Sequence, residues 1–210
     1  MAFFNAEQAI PMSKANNFQR MRELGFYQQA AVAATLLERM IPNYQLFAEV
    51  TETGDGALVR HSLDMVWEWL QVKRAKINFE RIQEELELVT PEVTNFDMFG
   101  VYPAVDAITA LDMMLNGIRE QDSAEFIHVA KISQASVARL IEHQTEEAEV
   151  TTEAELKKIV RDHELMHYEM DCLADLLEIC SQIKEFGRDD IKALKQWVTD
   201  QGVTNLGMEL

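Results

Sequence analysis

Glycine and proline are scarce, 8 and 4 among 210 residues. So few chain-breakers exclude a many-turned β sandwich and favour long helices. Cysteine occurs only as Cys172 and Cys180. On one helix that spacing gives about 12 Å of rise, too far for a disulfide, so the sequence fits a reduced cytoplasm. Bases are outnumbered, 19 Lys and Arg against 36 Asp and Glu, for a formal charge of −17. That balance excludes a phosphate-backbone binder and argues against nucleic acid as a partner. Apolar runs are short, well under the roughly 18 residues a membrane span needs. The opening MAFFNAEQAIPM has no basic leader, and Asn5, Glu7 and Gln8 interrupt its apolar residues, so no secretory signal is expected. Gly-rich phosphate loops, G-x-S-x-G and paired C-x-x-C motifs are all missing, as is strand-like alternation.

What is present is helical periodicity. Residues 1–15 show no period and read as a loose arm before a single domain over 16–210. Met21, Leu24, Tyr27, Ala31 and Ala34 mark a helix from Asn16 to Met40. Pro42 then suits the first turn of a second helix carrying Tyr44, Phe47 and Val50. Gly54-Asp55-Gly56 reads as a break with Asp55 as cap, followed by a stripe of Val59, Leu63, Val66 and Leu70 widened by Trp67 and Trp69. Further helices carry Phe79, Ile82 and Leu86; then, after a loop at 90–100, Val101, Val105, Ile108, Leu111 and Leu115; then residues 123–142 behind Asp122. Residues 142–156 hold six Glu and no Lys or Arg, a solvated acidic connector in which Thr152 and Glu155 form a capping box. Leu156, Ile159, His163, Met166, Met170, Leu173, Leu177 and Cys180 step by alternating threes and fours, the a/d seam of one long helix ending at Gly187. A last helix carries Leu194 and Trp197. The pattern predicts an all-α domain of seven or eight helices.

Several local groups resemble those of the YjaG-type family, bacterial proteins of unknown function. They are Glu38-Arg39-Met40 with Pro42-Asn43-Tyr44, Gly54-Asp55-Gly56, Ala75-Lys76, Asn78-Phe79, and Gly100-Val101-Tyr102-Pro103-Ala104 with Asp106-Ala107. The likeness implies an all-helical cytoplasmic protein with no catalytic set to carry over, and a signalling role alongside histidine kinases.

Three constellations are candidates for chemistry. His163-Glu164-Leu165-Met166-His167 matches H-E-x-x-H, in which two histidines on one helical face hold zinc and the glutamate acts as general base. It needs a third ligand, for which only Glu178 or Glu185 offer themselves downstream, and His163 on the seam has a plainer reading as a core histidine bonded across the bundle. His128 with Lys131 has phosphotransfer spacing, though Ile132 takes the place of the small residue such helices present, and a solvent-facing histidine explains it as well. Asp97, Tyr102 and Asp106 surround one helix start; with Arg39 and Lys76 they form either a structural network or a polar ligand pocket.

Residues 60–81 carry net +2 and residues 142–210 net −10. The basic stretch either binds an anion or pairs with the acidic helices. The combined expectation is a non-enzymatic regulatory or protein-binding module, with no cofactor, an acidic face for a basic protein partner, and apolar faces compatible with a homodimer. The alternative is a zinc-dependent hydrolase built on His163, His167 and Glu164.

Overall fold

Capping side chains set most helix starts. Asn16 accepts the Phe18 N–H and opens α1 (Asn17–Glu23). Leu24 turns extended, and the Gln28 side chain accepts the Gly25 N–H while that of Gln29 donates to the Leu24 carbonyl. These two bonds stop the chain and restart it as α2 (Phe26–Thr51), so the helix expected over 16–40 is broken at its first third. α2 in turn runs straight through Pro42, where a new start was expected. An internal proline costs about 3 kcal/mol through its missing N–H and its ring. Met40, Ile41, Tyr44 and Phe47 flank it fully or almost fully buried, each worth about 1.5–3 kcal/mol, so burial outweighs the break.

The computed structural model describes residues 16–72, 75–145 and 152–210. Asp55 caps α3 (Gly56–Gln71) by accepting the Leu58 N–H, and Asn78 caps α4 (Phe79–Val89). Between α2 and α3, Gly54 adopts φ +76°, and a Cβ there would collide with the Tyr44 hydroxyl. That hydroxyl donates to the Val89 carbonyl and accepts the Asp55 N–H, tying α2, α4 and the turn together. A 3₁₀ turn (Val93–Asn95) interrupts the expected loop before α5 (Val101–Glu120), and Asp122 caps α6 (Ser123–Thr145) by accepting the Ala124 N–H. α7 (Glu153–Asp162) begins at the Thr152–Glu155 capping box. α8 (Glu164–Ser181) and α9 (Arg188–Gln201) follow, and the tail folds back through a single bridge between Val203 and Glu209. The described residues thus form nine helices rather than seven or eight. The loose arm at 1–15, and the connector residues 146–151, lie outside the described residues. The connector's flanks are helical, as the end of α6 and the start of α7.

α2 is about 39 Å long and is the axis of the bundle. Ala30, Ala31, Ala33 and Ala34 are all fully buried, and small side chains around its circumference let α5 and α6 pack close. Gly117 makes the α5–α6 contact, since a Cβ there would meet the Phe126 ring.

The long seam is divided. His163 leaves helical geometry (φ −74°, ψ 139°), ends α7 and caps α8. Beyond it Met166, Leu173, Leu177 and Cys180 are buried as the seam predicts, but Met170, expected inside, is 43% exposed, and the neighbouring Glu169 takes the inner place at 1% exposed. α8 ends at Ser181, before Gly187. Cys172 and Cys180 are buried and free, and burial pushes the Cys180 thiol up to about 12, keeping it neutral.

Candidate functional site

The end of α2, the segment leading into α5, the last turns of α6 and the C-terminal tail meet around an apolar groove of about 320 Å³. Leu46 and Val50, one helical turn apart on α2, form one wall; Met98, Pro103, Leu140 and Met208 complete it. Leu46 is 47%, Val50 61% and Met98 38% exposed. Met98 and Phe99 also wall a polar cleft of about 510 Å³ that holds Asp97, Tyr102, Arg139, Glu142 and His143. Arg139 pairs with Asp106 at 2.7 Å, and its guanidinium lies 5.4 Å from the centre of the Tyr102 ring. Phe99 stacks on His143, centroids 4.5 Å apart and 9° from parallel. These contacts fix the partition between groove and cleft.

The cluster read from sequence is therefore split. Asp97 and Tyr102 share the cleft, and Asp106 joins them through Arg139, not through Arg39 or Lys76 as expected. Lys76 is exposed ahead of α4. Arg39 is fully buried in the bundle, ion-paired to Glu169 at 2.5 Å. Burial alone would lower its pKa; the neighbouring Glu169 carboxylate, with smaller help from Cys172 and Tyr168, holds it above its ordinary value. Glu169 also accepts from the Ser133 hydroxyl, Asn205 donates to Ser133, and Asn43 donates to Asn205. The Asn205 N–H closes the circuit on the Arg39 carbonyl. The result is a polar seam from α8 through α6 to the tail and back to α2. Nε and Nη2 of Arg39 meet no acceptor among the described residues; the Tyr168 ring lies 5.5 Å from the guanidinium carbon. This arrangement holds the tail against α2 and shields the charge from water.

The H-E-x-x-H residues do not all lie within one helix. His163 precedes α8, and its Nδ1 accepts the Leu165 N–H at 3.1 Å, a local cap in place of the cross-bundle bond expected of a core histidine. Glu164 and His167 are exposed. No group of three His, Cys, Asp or Glu side chains arranged to hold a metal occurs among the described residues, so the third ligand a zinc site needs is not assembled there. His128 sits on the outside of α6 with its Nδ1 3.3 Å from Glu125.

The fold and these sites can be set beside known proteins. Residues 16–209 match the profile of a family described as "Protein of unknown function (DUF416)". The chain belongs to the DUF416 family. It is 34% identical over 190 residues to the uncharacterized protein YjaG of Salmonella typhimurium, covering 90% of this chain and 94% of that one. The Escherichia coli K12 protein of the same description is 33% identical over the same length. A crystal structure of a DUF416 family protein from Shewanella baltica superposes with a TM-score of 0.85 at 33% identity, covering 94% of this chain and all of that one.

Within this DUF416 chain, the residues that carried the resemblance now have physical jobs. Glu38 accepts from Arg60 at 2.5 Å and from the Trp67 indole at 2.6 Å, joining α2 to α3. Arg39 and Asn43 belong to the buried seam, and Tyr44 and Gly54 to the α2–α3 turn. Of the groove residues, Leu46, Met98 and Met208 escaped sequence reading, whereas Val50 was read on a stripe with Tyr44 and Phe47 and is instead 61% exposed. Glu169, Ser133, Asn205 and Arg139 were also missed; Glu169 is buried because Arg39, 130 residues away, pairs with it, which no local spacing signals.

Proposed function

We propose that this protein is a non-enzymatic binding module whose groove at Leu46, Val50 and Met98 takes a basic amphipathic helix of a partner protein. The supporting observation is an exposed apolar groove bordered in the chain by acids. Glu49 adjoins Val50, Asp97 adjoins Met98, and Glu209 adjoins Met208, while Glu142 lies in the neighbouring cleft. An apolar trough with acidic surroundings complements a helix with leucine or methionine on one face and lysine or arginine on the other. Met98 and Met208 suit such a trough because unbranched thioethers reshape to different partners. The formal charge of −17 speeds encounter with a basic segment. Signalling proteins, histidine kinases included, are a class in which to seek that segment.

The test uses a fluorescent helical peptide with leucines on one face and lysines on the other, titrated by anisotropy. Saturable binding is expected at low salt, weakening as salt is added, with an all-glutamate counterpart failing to bind. Leu46→Asp, at an already exposed position, is expected to weaken binding by roughly tenfold or more. Equal binding to wild type and Leu46→Asp contradicts the reading. So does self-association through the groove, seen in sedimentation as a dimer lost in the same variant.

A further inference from the structure

The C-terminal part of the chain is strongly acidic, yet three of its bases gather on one helix. Arg188, Lys192 and Lys195 lie on one face of α9 and look across a cleft of about 510 Å³ at α3. Asp189 is rotated about 100° away around the helix, and Asp190 turns back to accept the Gly187 N–H. Lys195 is held in place: its ammonium is 3.2 Å from Asp64, 3.7 Å from Glu38 and 5.5 Å from the Trp67 ring centre. Arg60 neutralises the same two carboxylates, at 2.5 Å from Glu38 and 2.9 Å from Asp64. The floor of the cleft is thus a fixed, internally balanced ion cluster. Arg188 and Lys192 are exposed above it and have no ion-pair partner among the described residues.

Arg188 and Lys192 outnumber the one remaining carboxylate of the lining, Glu68, so above its balanced floor the cleft keeps a local positive potential on an otherwise negative protein. Arg188 offers a planar fork suited to phosphate oxygens, and Lys192, one turn on, a point charge. The cavity falls within the usual range of small-molecule sites, about 300–1,000 Å³, far more than an inorganic ion fills. The remaining space is lined by hydrogen-bonding groups, Glu68, Gln71, Gln196 and Thr199, beside an apolar strip of Val72 and Ile191. Such groups hold hydroxyls, and the strip packs on C–H faces. We infer that the α3–α9 cleft binds a phosphorylated polyhydroxy small molecule, its phosphate on Arg188 and Lys192 and its hydroxyls toward Glu68, Gln71 and Thr199. This site is separate from the groove and does not depend on it.

The experiment is calorimetric titration of the full chain with ribose 5-phosphate, inorganic phosphate and ribose, on wild type and on the double variant Arg188→Ala/Lys192→Ala. Both positions are exposed, so the fold is expected to survive, checked by circular dichroism. Ribose 5-phosphate is expected to bind more tightly than inorganic phosphate, ribose not to bind, and the double variant to lose roughly tenfold or more in affinity. No binding of ribose 5-phosphate, or binding undiminished in the double variant, overturns the inference. Inorganic phosphate binding as tightly as the ester overturns its polyhydroxy half.

Discussion

Two arginines end in opposite circumstances. Arg39 is fully buried, paired to Glu169, and surrounded by a seam that includes Ser133, Asn205 and Asn43. Arg139, paired to Asp106 and facing Tyr102, is 41% exposed at the rim of a cleft. Both are arginine–carboxylate pairs between helices, and the difference between them is water. In the interior, removing one partner strands a charge with nowhere to go; at the surface, solvent replaces the partner. The buried pair therefore holds the fold, and the exposed pair shapes a face that meets other molecules.

The sharpest way to break this comparison is Glu169→Ala. It leaves the Arg39 guanidinium buried without a counter-charge, and urea unfolding is expected to show a loss of about 3–5 kcal/mol. His163→Ala comes next. Losing the cap on the Leu165 N–H is expected to cost about 0.5–1 kcal/mol in the same assay. Metal content by mass spectrometry is expected to be the same in that variant as in wild type; near-stoichiometric zinc lost with His163 would restore the hydrolase reading. Arg139→Ala has the smallest effect on stability, within about 1 kcal/mol. It sharpens the comparison elsewhere: it removes a positive charge beside the groove, so the basic peptide is expected to bind slightly more tightly, an advantage that added salt erases.

Helical class and most helix starts were legible in the sequence because caps are local. Asp55, Asp122 and the Thr152–Glu155 box each act within three residues of where they stand. Pro42 misled because its local cost is overridden by packing from distant helices, which no window around it contains. His163 misled for the converse reason: a clean heptad pattern continued through a residue that leaves helical geometry and whose ring caps the next helix. Within α8 the seam held at Met166, Leu173, Leu177 and Cys180, and only Met170 gave its inner place to Glu169, whose burial is explained by a distant partner, Arg39. Asp97 and Tyr102 were found together because one short segment carries both, whereas Arg139 lies 33 residues from Asp106, beyond the reach of spacing. Val50 followed the helical period yet faces outward, and period alone does not say which apolar positions lack a covering helix.

The most direct test of the division between fold-holding and partner-facing charges is a double-variant cycle on the buried pair. Unfolding free energies are measured for wild type, Arg39→Met, Glu169→Leu and the combination. Each single change is expected to cost about 3–5 kcal/mol, and the double change much less than their sum, because apolar side chains then fill the site with no charge stranded. A double variant as unstable as the two losses added together would contradict the account.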